Sequence, residues 1–240
     1  LFSIFFTSAG FVMATAPIAP TINGLLNPPT DAESLELYDP PNPTAASINA
    51  LILSHPLSQS LRADPSFAES RPHMKIPPAA RPNNLTGGTL LGDDKVVVPP
   101  LVFTEAEGKS LVSLQYLGSA LCGHPGIVHG GLLATLLDEG LARCCFPALP
   151  NRVGVTASLN IAYKKPCRAG QVVVLRATTV KVEGRKAWVE GRIETLGEVL
   201  EEEEEVGGMR VRKVGEGEVL CTAEALFIEP KAAATMPRVY

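Results

Sequence analysis

A chain of 240 residues that is 45% hydrophobic and 19% charged has the make-up of a globular protein with one core and room for extra segments. A net charge of −4 supplies no basic stripe and so excludes a nucleic-acid binder driven by phosphate contacts. The five cysteines, Cys122, Cys144, Cys145, Cys167 and Cys221, are odd in number and lack metal-ligand spacing, so they read as reduced thiols filling core space.

Residues 1–30 hold no charged side chain, and Leu1 to Val12 is continuously apolar or small. A spanning helix needs about 20 apolar residues, and Pro17 and Pro20 close this run early. Segment 1–26 is expected to be the remaining half of a membrane anchor, part of a targeting segment, or a helix that packs on the protein or a partner. Fifteen of the 21 prolines lie in the first 100 residues and break the N-terminal third into short pieces. A Pro-rich tether is therefore expected over 27–89, with a domain boundary near Asn83 to Asp93. The main domain follows over 90–230, and a tail over 231–240. Within the tether, Ile48, Leu51 and Ile52 share a face, so Thr44 to Leu53 is expected to be helical until His55-Pro56 stops it. Ser58 to Ala63 adds another turn.

Beyond Asp94 the hydrophobic period becomes two. Lys95 to Glu105 and Ser110 to Leu117 flank Ala106-Glu107-Gly108-Lys109 and read as an antiparallel hairpin. Pro99-Pro100 confine its first strand to an edge or force a bulge. Next comes a sharp turn, His124 to Gly131, into one apolar helix of about 17 residues, its length read from the run ending at Cys145. Leu132, Leu133, Leu136, Leu137, Leu141, Cys144 and Cys145 bury most of its circumference. Val153 to Tyr163, Val172 to Val182, Lys186 to Leu196 and Val219 to Ile228 then read as strands. On Lys186 to Leu196, Ala187, Val189 and Ile193 alternate with Trp188, Glu190, Arg192 and Glu194, which predicts one buried and one solvated face. Glu183-Gly184-Arg185 is a tight turn. Gly197 to Gly217, with Glu201 to Glu205 in a row, cannot bury enough apolar area to order itself and is expected to be a disordered insertion. The fold class is thus α+β, an antiparallel sheet of about five to six strands wrapped around one long central helix.

Chemistry concentrates on that helix. His129-Gly130-Gly131 opens it, and each glycine there costs about 1 kcal/mol relative to Ala. Free amides at a helix start suit a developing oxyanion, although a tight loop entry without ligand needs the same residues. Asp138 projects from nearly the same face as Gly131, and a carboxylate buried in an apolar helix is a candidate catalytic group with a raised pKa. Arg143 is the available partner of either Asp138 or Glu139. Rise along the helix puts Gly131 and Asp138 about 10 Å apart, too far to serve one carbonyl and its attacking water. An antiparallel second copy would bring the acid of one subunit to the amides of the other. On Val153 to Tyr163, Val155, Leu159, Ile161 and Tyr163 alternate with Thr156, Ser158 and Asn160, and spacing alone does not say which row meets the helix.

Four stretches together, HGG with Asp138, VTASLNIAYKKP, VEGRKAWVEGRI and AEALFIEP, resemble the hotdog-fold acyl-CoA thioesterases, most closely thioesterase superfamily members 4 and 5 and their fungal mitochondrial relatives. The likeness spans about residues 90 to 230, and ESRPHMKIP upstream is similar to the N-terminal block of the fungal members. It implies hydrolysis of fatty acyl-CoA in fatty acid metabolism and a mitochondrial setting; membrane association is expected through segment 1–26, and the helix spacing calls for a homodimer, or a tetramer built from it. It further implies that His129, Gly130 and Gly131 polarise the thioester carbonyl, that Asp138 is general base or nucleophile, and that Thr156 holds the water. Lys164, Arg185 and Lys186 match the positions that bind the CoA phosphates, whereas Ala162 stands where those enzymes carry Asn. No cofactor or metal is implied, CoA being part of the substrate. The rival readings are a non-catalytic acyl-CoA sensor or membrane-tethered interaction module on the same fold, and an enoyl-thioester hydratase, for which no Asp/His dyad follows a strand.

Overall fold

The computed structural model describes residues 27–236. The apolar segment 1–26 and the last four residues of the expected tail lie outside them. Among the described residues, no helix is long and apolar enough to cross a membrane.

Four short helices precede the main body: α1 (Asp31–Glu36), α2 (Pro43–Ser54), α3 (Pro56–Ala63) and the single turn α4 (Pro72–Lys75). The strands are β1 (Phe67–Ser70), β2 (Leu101–Glu105), β3 (Ser110–Leu117), β4 (Cys122–His124), β5 (Ile127–Val128), β6 (Val155–Tyr163), β7 (Gln171–Glu183), β8 (Lys186–Thr195), β9 (Val199–Val206), β10 (Met209–Val214) and β11 (Val219–Ile228). The central helix is α5 (Gly130–Cys145). Seven strands form one antiparallel sheet in the order β1-β2-β3-β7-β8-β11-β6.

The sheet wraps α5, which packs on β3, β7, β8, β11 and β6. Leu137 and Leu141 are fully buried there with Cys144 and Cys145, and each such leucine contributes about 2 kcal/mol relative to an exposed one. Helix and sheet approach closely because glycines stand at the contact. A Cβ on Gly140 would lie 2.7 Å from the Leu175 side chain, and one on Gly191 would lie 2.7 Å from Leu141. Cys144, Cys145, Cys167 and Cys221 are buried free thiols, and burial pushes Cys145 up to about 12.

The sheet has seven strands rather than five or six, because β1 comes from upstream of the expected boundary at Asn83 to Asp93. The second face of the sheet explains its recruitment. Ile52 of α2 is buried against Leu101, Phe103, Val112, Leu114, Val172 and Val174, so the extension covers what would be an exposed apolar face. Arg71, 2% exposed, ties these pieces together. Its amide donates to Ser34 Oγ at 2.9 Å, Nη2 donates to Asn49 Oδ1 at 2.5 Å, Nη1 donates to the Pro99 carbonyl, and the guanidinium lies 5.1 Å from the Tyr38 ring centroid.

Two expectations are corrected here. Glu194, placed on the solvated row of β8, is 4% exposed and accepts from Arg176 Nε and Arg192 Nε, each at 2.6 Å. Gly197 to Gly217 is not a disordered insertion: β9 and β10 pair across a Gly207-Gly208 turn. Opposite charges face each other as Glu205 with Arg210 and Glu203 with Arg212, and Lys213 Nζ bonds Glu202 at 2.9 Å. Val211 is 3% exposed, and β10 lies on α3. The apolar surface that orders the hairpin is thus supplied by the extension, outside the window whose composition argued for disorder.

His73 on α4 is 8% exposed, and burial, with the charges of Arg143 and Arg81, pulls its imidazole down to about 3. The folded state resists protonation here, so the contribution is present above the ordinary value of 6.5 and is lost as pH falls from there toward 3. In urea unfolding between about pH 7.5 and about pH 5, the protein is expected to lose about 2 kcal/mol more than His73→Leu. Equal losses would show that His73 does not carry the acid sensitivity.

Candidate functional site

The first amides of a helix have no acceptor within it, and at α5 most are accounted for. His129 is the N-cap: its Nδ1 accepts from the Gly131 amide at 2.9 Å. The Leu132 and Leu133 amides donate to the His129 carbonyl at 2.9 and 3.3 Å. Gly130 is left, its amide without an acceptor among the described residues. Of the two glycines expected to face a carbonyl, Gly130 keeps a free donor, while the donor of Gly131 is occupied by the capping ring. Tyr163 Oη donates to the Gly130 carbonyl at 2.8 Å and fixes that turn against β6.

Asp138 is half-buried rather than enclosed, on a strip of α5 with Gly131, Thr135 and Ala142 that the sheet leaves open. Thr156 Oγ1 donates to Asp138 Oδ1 at 2.8 Å. Simple alternation put Thr156 on the row opposite Leu159, yet both face the helix. The register explains it: Ser158 pairs with Leu226 but Thr156 with Phe227, so Ala157 is an extra residue in a β-bulge. The bulge turns Thr156 inward with Leu159, Ile161 and Tyr163. The loop before β6 is held by Glu229, 2% exposed, which accepts from the Asn151 amide and side chain, each at 2.7 Å.

Glu139 leaves the helix toward the extension and accepts from Thr86 Oγ1 at 2.8 Å. Burial pushes its carboxyl above the ordinary carboxylate value, opposed by the Thr86 hydrogen bond and the charge of Arg143. Neither acid forms the expected ion pair with Arg143.

The three cations expected together are not together in one chain. The Lys164 amide bonds the Leu220 carbonyl at one end of β11, whereas Lys186 pairs with Ile228 at the other. At about 3.4 Å per residue they stand about 27 Å apart. Arg185 sits with Lys186 and donates through Nη1 to the Glu229 carbonyl at 2.9 Å. Tyr163 and Glu229 were not singled out by sequence reasoning, although each lies inside a motif that carried the resemblance.

An antiparallel sheet curled on one buried helix, with a capped glycine turn and an acid two turns later, defines a hotdog thioesterase domain. The chain belongs to the thioesterase superfamily, whose family model matches residues 125–202. An uncharacterized mitochondrial protein of Candida albicans (strain WO-1) is 37% identical over 133 residues, 55% of this chain and 60% of that one. An uncharacterized Schizosaccharomyces pombe protein is 32% identical over 180 residues, 75% of this chain and 91% of its own length. The mouse acyl-coenzyme A thioesterase THEM4 is 43% identical over 90 residues, 38% of each chain. The chain thus spans 60% of the Candida relative and 38% of the mouse one.

Loss of the cap tests the helix start. His129→Ala is expected to cost about 1 kcal/mol in urea unfolding, and His129→Asn, whose side chain also caps, to recover most of it. Equal losses would remove the capping role.

Proposed function

We propose that the protein hydrolyses fatty acyl-CoA thioesters to free acid and CoA at two sites formed across a homodimer. The observation that carries this reading is the Thr156–Asp138 hydrogen bond at 2.8 Å, on the open strip of a helix whose first amide has no acceptor. Family membership supports the reaction class, and the mouse relative is named as an acyl-CoA thioesterase.

In the proposed reaction Asp138 takes a proton from water while the Thr156 hydroxyl, donating to Asp138, offers its lone pairs to the same water. The water attacks the thioester carbonyl, the Gly130 amide receives the developing oxyanion, and thiolate departs without a dedicated acid. Direct attack by Asp138, giving a mixed anhydride that water then opens, uses the same groups.

Gly130 and Asp138 are eight residues apart, about 12 Å of helix rise, so one chain holds two half-sites. β6 supports the joining of two copies, because it ends the sheet with an unpaired edge and Val155 and Tyr163 are exposed on it. Antiparallel pairing of β6 with its copy reverses the ends. Lys164 of one subunit then approaches the Arg185 and Lys186 end of the other, as three cations serving one CoA require. A mitochondrial setting is proposed on the Candida relative, which is named mitochondrial; membrane association through segment 1–26 remains part of the same proposal.

Thiol release from acyl-CoAs of graded chain length tests the reaction. Asp138→Asn is expected to lower kcat by about 10²-fold or more, and Thr156→Val by about tenfold, with a dimer in sedimentation. Wild-type turnover by Asp138→Asn would refute the assignment. Absence of turnover at every chain length would favour the non-catalytic acyl-CoA binder.

A further inference from the structure

Where the extension covers α5, two polar groups have no partners. His73 Nδ1 is buried with no hydrogen bond, and the Arg143 guanidinium makes no hydrogen bond or ion pair among the described residues, although Glu139 stands one turn away. Both line one cavity of about 290 Å³ between the extension and α5. A smaller void of about 40 Å³ shares His73, Glu139 and Arg143 and runs under the helix to Ser113 and Gln115, which are buried polar residues of β3.

A buried imidazole without an acceptor is costly, and such groups in native proteins are ordinarily satisfied, while the half-buried Arg143 guanidinium has no acceptor in the protein. An anionic oxygen pair would serve both. Arg152 adds a second cation to the lining and is held at φ 56°, a left-handed backbone that non-glycine residues seldom adopt. The remaining wall is apolar, built by Ile76, Ala142 and Phe146. Of the acids nearby, Asp31 is paired with Lys75 at 2.5 Å. Glu139 is bonded by Thr86, and burial pushes its carboxyl above the ordinary carboxylate value.

We propose that this cavity binds a small amphiphilic carboxylate, its head group on Arg143 and His73 and its hydrocarbon body along Ile76, Ala142 and Phe146. The Arg143 head-group position lies about 140° around α5 from Asp138, and the site does not depend on thioester hydrolysis.

Calorimetric titration of the full chain with sodium octanoate tests it, with 1-octanol and inorganic phosphate as probes of tail and charge alone. Octanoate is expected to bind at least about tenfold tighter than either. Arg143→Gln should weaken it by about tenfold or more, and Asp138→Asn should leave it unchanged. Should Arg143→Gln fail to fold, Ala142→Met, which narrows the cavity from its apolar wall, is expected to weaken octanoate comparably. The proposal is overturned if octanoate does not bind, if phosphate or octanol binds as well, if Asp138→Asn abolishes binding, or if binding survives both cavity variants. None of these outcomes bears on turnover by Asp138, which is measured separately.

Discussion

The structure depends on burying one helix that is apolar around most of its circumference yet carries Asp138, Glu139 and Arg143. At about 100° per residue, Glu139 and Arg143 lie about 100° and 140° around the axis from Asp138. The leucines fill the remaining arc, and the sheet closes over them. Every charged side chain must then leave by one of two gaps in that cover. Asp138 leaves beside the edge strand β6, where Thr156 meets it. Glu139 and Arg143 leave beneath the extension, where Thr86 and His73 stand. Two acids adjacent in sequence thus acquire unrelated surroundings.

Much of this was legible in the sequence, because period-two and period-3.6 patterns report burial directly. The central helix, the hairpin around Ala106 to Lys109 and the three long strands β7, β8 and β11 follow from such patterns. What was not legible has a common cause, namely cover supplied from elsewhere in the chain. Phe67–Ser70 is too short to show alternation and becomes a strand only because β2 offers it an edge. The Glu-rich β9 orders because β10 presents Arg210 and Arg212 to it and α3 receives the pair. Glu194 is buried on the row expected to be solvated, with Arg176 and Arg192 neutralising it.

At the candidate site the residue types were legible and the geometry was not. Asp138 and the glycine turn follow from their cost in an apolar helix. The inward direction of Thr156 does not, because one extra residue at Ala157 inverts the alternation beyond it and nothing in the local composition marks a bulge there. The division of labour between Gly130 and Gly131 was equally hidden. It depends on which amide the His129 ring takes, a matter of a capping rotamer rather than of spacing.

The extension is therefore part of the helix's environment rather than an appendage on a finished domain. Were it absent, Ile52 would no longer cover Phe103 and Val174, and the Glu139–Arg143 face would meet water. In water those two residues, one turn apart, have the ordinary spacing of an ion pair. Beneath the extension Thr86 holds Glu139 instead, and Arg143 is left turned toward the cavity. The Glu139 and Arg143 side chains are thus kept apart by the element that covers them, and Arg143 stands as a charge in a wall that is otherwise largely apolar.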